Sequence, residues 1–120
     1  MTILMDYYRG YEGYGELTVL RRGESGELGI TLWDGFVDEI LGAISPSSTG
    51  WTDLALYYHT HTGWYDEAEW TLPDPRGALA QLEAIDPRAL SPTSSEALRA
   101  WIDLLRAGID AGDLIVLRDG

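Results

Sequence analysis

The amino-acid sequence predicts an α+β fold: a single domain, residues 1–120, in which an antiparallel or mixed sheet has helices packed on one face. Three observations support this class. The length of 120 residues fits one ordinary domain. Apolar residues make up 45% of the chain and include five tryptophans, which is enough for a substantial core. Segments typical of strands come in neighbouring pairs, whereas helical periodicity is concentrated in the second half.

Three strands are predicted in the first part of the chain. Residues 2–9 form the first, and residues 16–22, in which apolar and polar side chains alternate, form the second. Residues 28–33 form the third. Glycine-rich or polar segments separate the three strands and favour tight turns.

A helix is predicted over residues 35–44, and it begins within the turn formed by Asp34 and Gly35. The apolar positions that predict it recur at helical spacing: Phe36, Val37, Ile40, Leu41 and Ile44. Residues 45–50 are rich in serine and proline and are predicted to form a loop.

A β-hairpin is predicted next, with strands over residues 51–60 and 64–72 and a loop over residues 61–63. Alternation along the second strand separates an apolar face from an acidic one. The apolar face comprises Trp64, Ala68, Trp70 and Leu72, and the acidic face comprises Tyr65, Glu67, Glu69 and Thr71.

Two helices and a strand complete the predicted fold. Asp74 and Pro75 are typical of a helix start, and this helix runs to about Ile85. The spacing of Thr93 and Glu96 fits a capping box at the start of a longer helix, which ends at Gly112. Residues 114–117 are continuously apolar, which predicts a buried, central strand.

Charge and cysteine content exclude several function classes. The net charge is -12, and all eight basic residues are arginine, so binding to nucleic-acid phosphates is not expected and a basic protein partner is favoured. There is no cysteine, which suits a reducing cytoplasm. No leader peptide or apolar span is visible, so we expect a cytoplasmic protein without a membrane partner.

The favoured candidate site is a partner-binding surface on and around the predicted hairpin. Carboxylates interleaved with aromatic side chains combine contact area with attraction for a basic protein. The residues are Asp53, Tyr57, Trp64, Tyr65, Asp66, Glu67 and Glu69. The alternative is an acidic sheet face that serves solubility alone. This interpretation requires no cofactor and no catalytic residue.

A second candidate is a metal site at His59 and His61, whose imidazoles point the same way if they lie on a strand. The His59-Thr60-His61 run, followed by Asp74 at a helix start, resembles the JAMM/MPN zinc peptidases. That family has an H-x-H-P run at a strand end, whereas Thr62 stands at the proline position here. The resemblance implies a zinc-dependent hydrolase with Asp74 as third ligand.

Four tyrosines within eight residues form a third candidate: Tyr7, Tyr8, Tyr11 and Tyr14. They suit either a recognition loop or packing against the sheet. The glycines among them are not followed by the lysine of a phosphate-binding loop. No nucleophile elbow occurs either, and no carboxylate pair stands out as an acid and a base.

The chain resembles the immunity proteins of bacterial toxin systems in its size, its acidity, its lack of cysteine and its α+β pattern. The resemblance is at the level of the class and carries no shared motif. It implies a small acidic protein that binds a cognate basic toxin or enzyme and occludes its active site. An accessory subunit that binds through the same acidic face without inhibiting its partner remains an alternative.

Overall fold

The structure, a computed structural model, describes residues 1–119. Nine helices and strands, together with two short 3₁₀ turns, make up this part of the chain. In chain order they are β1 Thr2–Tyr7, β2 Glu16–Gly23, β3 Gly26–Trp33, α1 Asp34–Gly42, α2 Asp53–Thr60, β4 Glu69–Thr71, α3 Pro75–Glu83, α4 Pro92–Ala111 and β5 Leu114–Asp119.

The five strands form one mixed sheet in the order β1-β3-β2-β5-β4. Strand β1 runs parallel to β3, and the other neighbouring pairs are antiparallel. Strand β5 is interior and its residues Ile115, Val116 and Leu117 are buried, as predicted. It pairs with β2 on one side and with β4 on the other, and β2 is the middle strand of the sheet.

The core lies between one face of the sheet and the helices. Val19 of β2 and Leu117 of β5 are fully buried there, and so is Trp101 of helix α4. Gly108 lets α4 approach the sheet, because a Cβ at this position would lie 2.6 Å from Ile115 Cδ1. The predicted α+β class, with helices on one face of a mixed sheet, is therefore confirmed.

The opposite face of the sheet carries a network of ion pairs. Glu69 of β4 lies 2.7 Å from Arg22 and 2.8 Å from Arg118, and Arg22 also pairs with Glu27. Hydrogen bonds from Arg22 and then Arg118 lower the pKa of Glu69 to about 2. Arg22 lies on β2 and Glu69 on β4, so their ion pair crosses the intervening strand β5 over Val116. Val116 is fully buried on this outer face.

The predicted first strand of the hairpin is wrong, because residues 53–60 form helix α2. Leu54 and Ala55 are buried, and Tyr58 packs against the core four residues after Leu54. That spacing places all three on one side of a helix. His61 ends the helix in the left-handed conformation, at φ 53°.

The predicted second strand is also wrong over most of its length. Gly63–Tyr65 form a 3₁₀ turn, and β4 contains only three residues. Gly63 has φ 68°, and a Cβ there would lie 3.2 Å from the ring of Trp70, so the chain bends close to that ring. The predicted division into an apolar and an acidic face does not apply, because the turn interrupts the strand.

The helix ends are only partly as predicted. Asp74 caps α3 by accepting a hydrogen bond of 3.1 Å from the Gly77 amide, and α4 ends at Gly112, where φ is 74°. The predicted capping box at Thr93 is wrong, because α4 begins at Pro92 and Ser91 is its N-cap. Proline at the first helical position leaves no amide unsatisfied there.

Candidate partner-binding surface

Carboxylates from distant parts of the chain meet at one end of the sheet. Glu16 is the first residue of β2 and is paired with Trp33, the last residue of β3. The next residue of β2 is paired with Asp119, the last residue of β5. Helix α1 starts at Asp34, directly after β3, and presents Asp38 one turn later. The antiparallel pairing therefore gathers four acidic side chains at this end.

Asp34 is a partly buried member of this group. A Cβ at Gly15 would lie 2.1 Å from Asp34 Oδ2, so the carboxylate rests against the glycine backbone. Burial raises the pKa of Asp34, and the negative charges of Asp119, Asp38 and Glu16 raise it further. Within residues 1–119, none of these four acidic side chains takes part in an ion pair.

Two tyrosines border these carboxylates. The Tyr58 hydroxyl donates a hydrogen bond of 3.0 Å to Asp38 Oδ1. The Tyr65 side chain is 37% exposed, and burial, followed by the charge of Asp38, raises its pKa to about 12. Asp34 and Asp119 also contribute to that pKa. The acidic–tyrosine patch is the set Glu16, Asp34, Asp38, Tyr58, Tyr65 and Asp119.

Three of the predicted partner-binding residues lie in or next to this patch. Tyr65 belongs to it, and the exposed residues Asp66 and Glu67 follow directly in the chain. Glu69 is placed elsewhere, in the ion-pair network on the outer face of the sheet.

The other predicted contacts are not gathered there. Trp64 is 2% exposed and belongs to the core, because the 3₁₀ turn directs it inward. The ring of Tyr57 packs against Trp70, with 4.5 Å between centroids. Asp53 starts helix α2 and lies beside Asp74. Burial raises the pKa of Asp53, and the negative charge of Asp74 raises it further. The predicted set therefore does not form one surface.

Five members of the patch were missed by the sequence analysis: Tyr58 and the four acidic residues Glu16, Asp34, Asp38 and Asp119. For the acidic residues a local signal was present, because each lies at or just beyond the end of a strand or in the first turns of a helix. What the sequence lacked was the strand order, which decides whether these ends meet at one edge or at opposite edges.

The histidine pair is not arranged as predicted. His59 lies in the last turn of α2, whereas His61 follows the helix in the left-handed conformation, so the two residues do not share one face of a strand. His59 stacks on Trp51 with 3.9 Å between centroids, and His61 packs edge-on against Tyr65 at 4.9 Å. Asp74 caps α3 instead. Over residues 1–119, no three histidine or acidic side chains gather in a way that would hold a metal ion.

The tyrosine-rich segment mainly packs against its surroundings. Tyr11 stacks on Trp33 with 4.1 Å between ring centroids and meets Phe36 edge-on at 5.5 Å. The hydroxyl of Tyr8 donates to the carbonyl oxygen of Tyr14. These contacts favour the packing interpretation over a recognition loop.

Comparison with known proteins assigns no family to the chain. No family model matches it, and it matches neither a curated protein nor a solved structure. Among the described helices, none has the length and apolar character needed to cross a membrane.

Proposed function

We propose that this protein is a small acidic inhibitor of the immunity-protein kind, which binds a basic bacterial toxin or enzyme and occludes its active site. The observation that carries this proposal is the acidic–tyrosine patch. Its carboxylates are grouped without arginine partners among the described residues, and the pKa of Asp34 is raised by burial and by its acidic neighbours.

Grouped like charges reduce folding stability, because each carboxylate raises the electrostatic energy of the next. Some carboxylates elsewhere in the described chain are balanced, as at Glu69 with two arginines. A cationic partner surface would supply the missing charge and relieve the repulsion in the complex. This contrast supports a binding role for the patch over one in solubility alone.

The tyrosines suit the same role. Tyr65 offers a partly exposed ring beside the carboxylates, and Tyr58 is held by Asp38. Tyrosine gives large contact area at low entropic cost, and arginine side chains of a partner stack well on its ring. We place the interaction in a reducing bacterial cytoplasm, with which a chain free of cysteine is compatible.

The test is a pull-down with the tagged protein from lysate of the source cell, at low and high salt, followed by an activity assay of the captured protein. The patch variant is Asp34→Asn/Asp119→Asn. The matched control is Glu24→Gln/Asp110→Asn, which changes the net charge equally. Glu24 lies beyond the far end of β2, about 25 Å from the patch at the usual rise per strand residue.

We expect the wild-type protein to capture one basic protein, to lose it at high salt, and to abolish its activity at a one-to-one ratio. The control variant should behave as wild type, and the patch variant should bind at least about tenfold more weakly. Equal binding by the patch and control variants would place the interaction elsewhere. Capture without loss of activity would support an accessory subunit instead of an inhibitor.

A further inference from the structure

Strand β1 lies at the edge of the sheet and leaves a run of apolar side chains uncovered. Ile3 is 38% exposed, Leu4 52% and Met5 47%. An exposed apolar edge strand favours association with another chain, and proteins usually protect such edges with charge or by shortening them. The opposite edge strand, β4, is short and carries the paired Glu69, whereas residues 1–5 have no charged side chain.

A cleft of about 530 Å³ lies between β1 and helix α4. Most of its lining is apolar, including Leu4 and Met5 from β1, Ile30 from β3, and Ala100 and Leu104 from α4. The volume is in the range of small-molecule pockets, so either a ligand or a second protein surface has room to enter.

The arrangement of β1 favours a protein surface over a small ligand. Met5 is paired with Ile30 and shares its face of the sheet, next to the cleft. Ile3 is paired with Gly29, one residue earlier on β3, and therefore faces the other side. The apolar surface wraps around the strand edge, and a small molecule in the cleft would leave Ile3 in water.

The charges along this surface favour a second copy of the same chain. Glu96, Arg99 and Asp103 line the cleft along α4, and none of them forms an ion pair within residues 1–119. A surface made for a basic partner would carry one sign. Here the arginine lies between two acids, so an antiparallel copy of α4 whose twofold axis passes between Arg99 and one of these acids brings each Arg99 against an acid of the other chain.

We propose that the β1 edge and the adjoining cleft form the interface of a twofold-symmetric homodimer. The register of β1 shifts between Ile3 and Met5, and such a bulge disrupts regular edge-to-edge pairing. The two copies therefore meet through the apolar side chains of β1 and the charged row of α4. This interface is separate from the acidic–tyrosine patch and does not depend on the proposed function.

Sedimentation equilibrium of the whole protein over a wide concentration range tests the dimer. We expect wild-type protein to reach twice the chain mass of 13.3 kDa. Ile3→Lys and Leu4→Lys should each weaken association by about tenfold or more, as for a central interface residue. Leu114→Lys is the matched control, because Leu114 is 53% exposed but lies on another strand, β5. This variant should dimerise as wild type does. Circular dichroism checks that all variants are folded.

Charge exchange on α4 tests whether the partner is the same chain. Arg99→Glu makes the row uniformly acidic and should weaken the dimer about tenfold. The triple variant Glu96→Arg/Arg99→Glu/Asp103→Arg again places an opposite charge between two like charges, and it should dimerise as tightly as wild type. An unrelated partner that fits the wild-type charges would not bind this variant.

A wild-type mass of 13.3 kDa at every concentration overturns the dimer. In that event, saturable binding of a fluorescent apolar dye, abolished by Leu104→Arg in the cleft, would assign the cleft to a small ligand. Equal loss of association in the Leu114→Lys control would also count against the proposed interface. The pull-down outcome for the acidic–tyrosine patch is unaffected by any of these results.

Discussion

The hydroxyl group of Ser94 donates a hydrogen bond of 2.7 Å to Glu39 Oε2, and this bond joins helix α1 to the first turn of helix α4. The same carboxylate accepts from the hydroxyl of Ser91 at 3.1 Å and from the Ser91 amide. Ser94 is fully buried, so its hydroxyl depends on this partner. Glu39 thus replaces the capping role that sequence had assigned to Glu96.

Replacing Glu39 by alanine should therefore destabilise the protein. The loss is expected to be about 1–3 kcal/mol, because a buried hydroxyl and a helix cap both lose their acceptor. Chemical denaturation at neutral pH measures it. Glu24→Ala, at an exposed carboxylate without a side-chain hydrogen bond in the described structure, is the control and should change little.

The contribution of Glu39 should also depend on pH. Hydrogen bonds from the Ser91 amide and the Ser94 hydroxyl lower the pKa of Glu39 below its ordinary value of 4.5. A lowered pKa in the folded state means that the stabilisation is fully present above pH 4.5 and is lost as pH falls through the folded value. The gap between wild type and Glu39→Ala should close over that acidic range.

Asp34→Asn should have the opposite effect on stability. Burial and three neighbouring carboxylates raise the pKa of Asp34, so its ionised form destabilises the fold. The variant should be more stable at neutral pH, by about 1 kcal/mol or less for a solvent-screened group. Because the folded pKa lies above 3.8, this advantage should shrink as pH falls through the raised value and vanish below 3.8.

Thermal denaturation of Asp34→Asn across pH measures this difference, with Asp110→Asn on α4 as the control. A loss of stability in Asp34→Asn at neutral pH would show that the carboxylate serves the start of α1 more than it suffers from its neighbours. The proposed function links thermal stability to partner affinity, because loss of the Asp34 charge should make the protein more stable and its binding to the partner weaker.

Trp64 and Tyr65 are adjacent in the chain and should respond in opposite ways to truncation. Trp64→Ala should cost about 3–5 kcal/mol, because a fully buried indole leaves a cavity. Tyr65→Ala should cost about 1 kcal/mol or less, as expected for a partly exposed residue. Denaturant titration of both variants separates a core residue from a contact residue. A mild effect of Trp64→Ala would restore the contact role that the sequence predicted for it.

Gly112 and Gly42 provide a matched pair of helix-end glycines. Gly112→Ala should destabilise by about 1 kcal/mol, because an alanine is strained at φ 74° even though nothing crowds its Cβ. Gly42 is the last residue of α1, and its backbone conformation is one that other residues also adopt. A Cβ added at this position would meet nothing within 4 Å. Gly42→Ala should be neutral or stabilising by a few tenths of a kcal/mol. Equal effects in thermal melts would contradict the role of the left-handed cap.

Local patterns predicted most of the elements and misassigned one region. Strands β2 and β3 and helices α3 and α4 each carry a periodicity or a terminator in their own residues, such as Asp74 or Gly112. Residues 51–72 were misassigned because aromatic side chains favour strands in isolation. There the burial of Leu54 and Ala55 against other helices overrides that preference.

The sequence by itself determined the fold class, the start of α3 at Asp74, the end of α4 at Gly112 and the acidic character of this protein, because hydrophobic periodicity, capping residues and charge are properties of short segments. The tertiary structure alone decided which carboxylates act together. Glu16, Asp34 and Asp119 meet because β2 lies antiparallel between β3 and β5, so that the start of one strand adjoins the ends of two others. It likewise placed Trp64 in the core and Glu69 among arginines, since burial and pairing depend on neighbours that are distant in the chain.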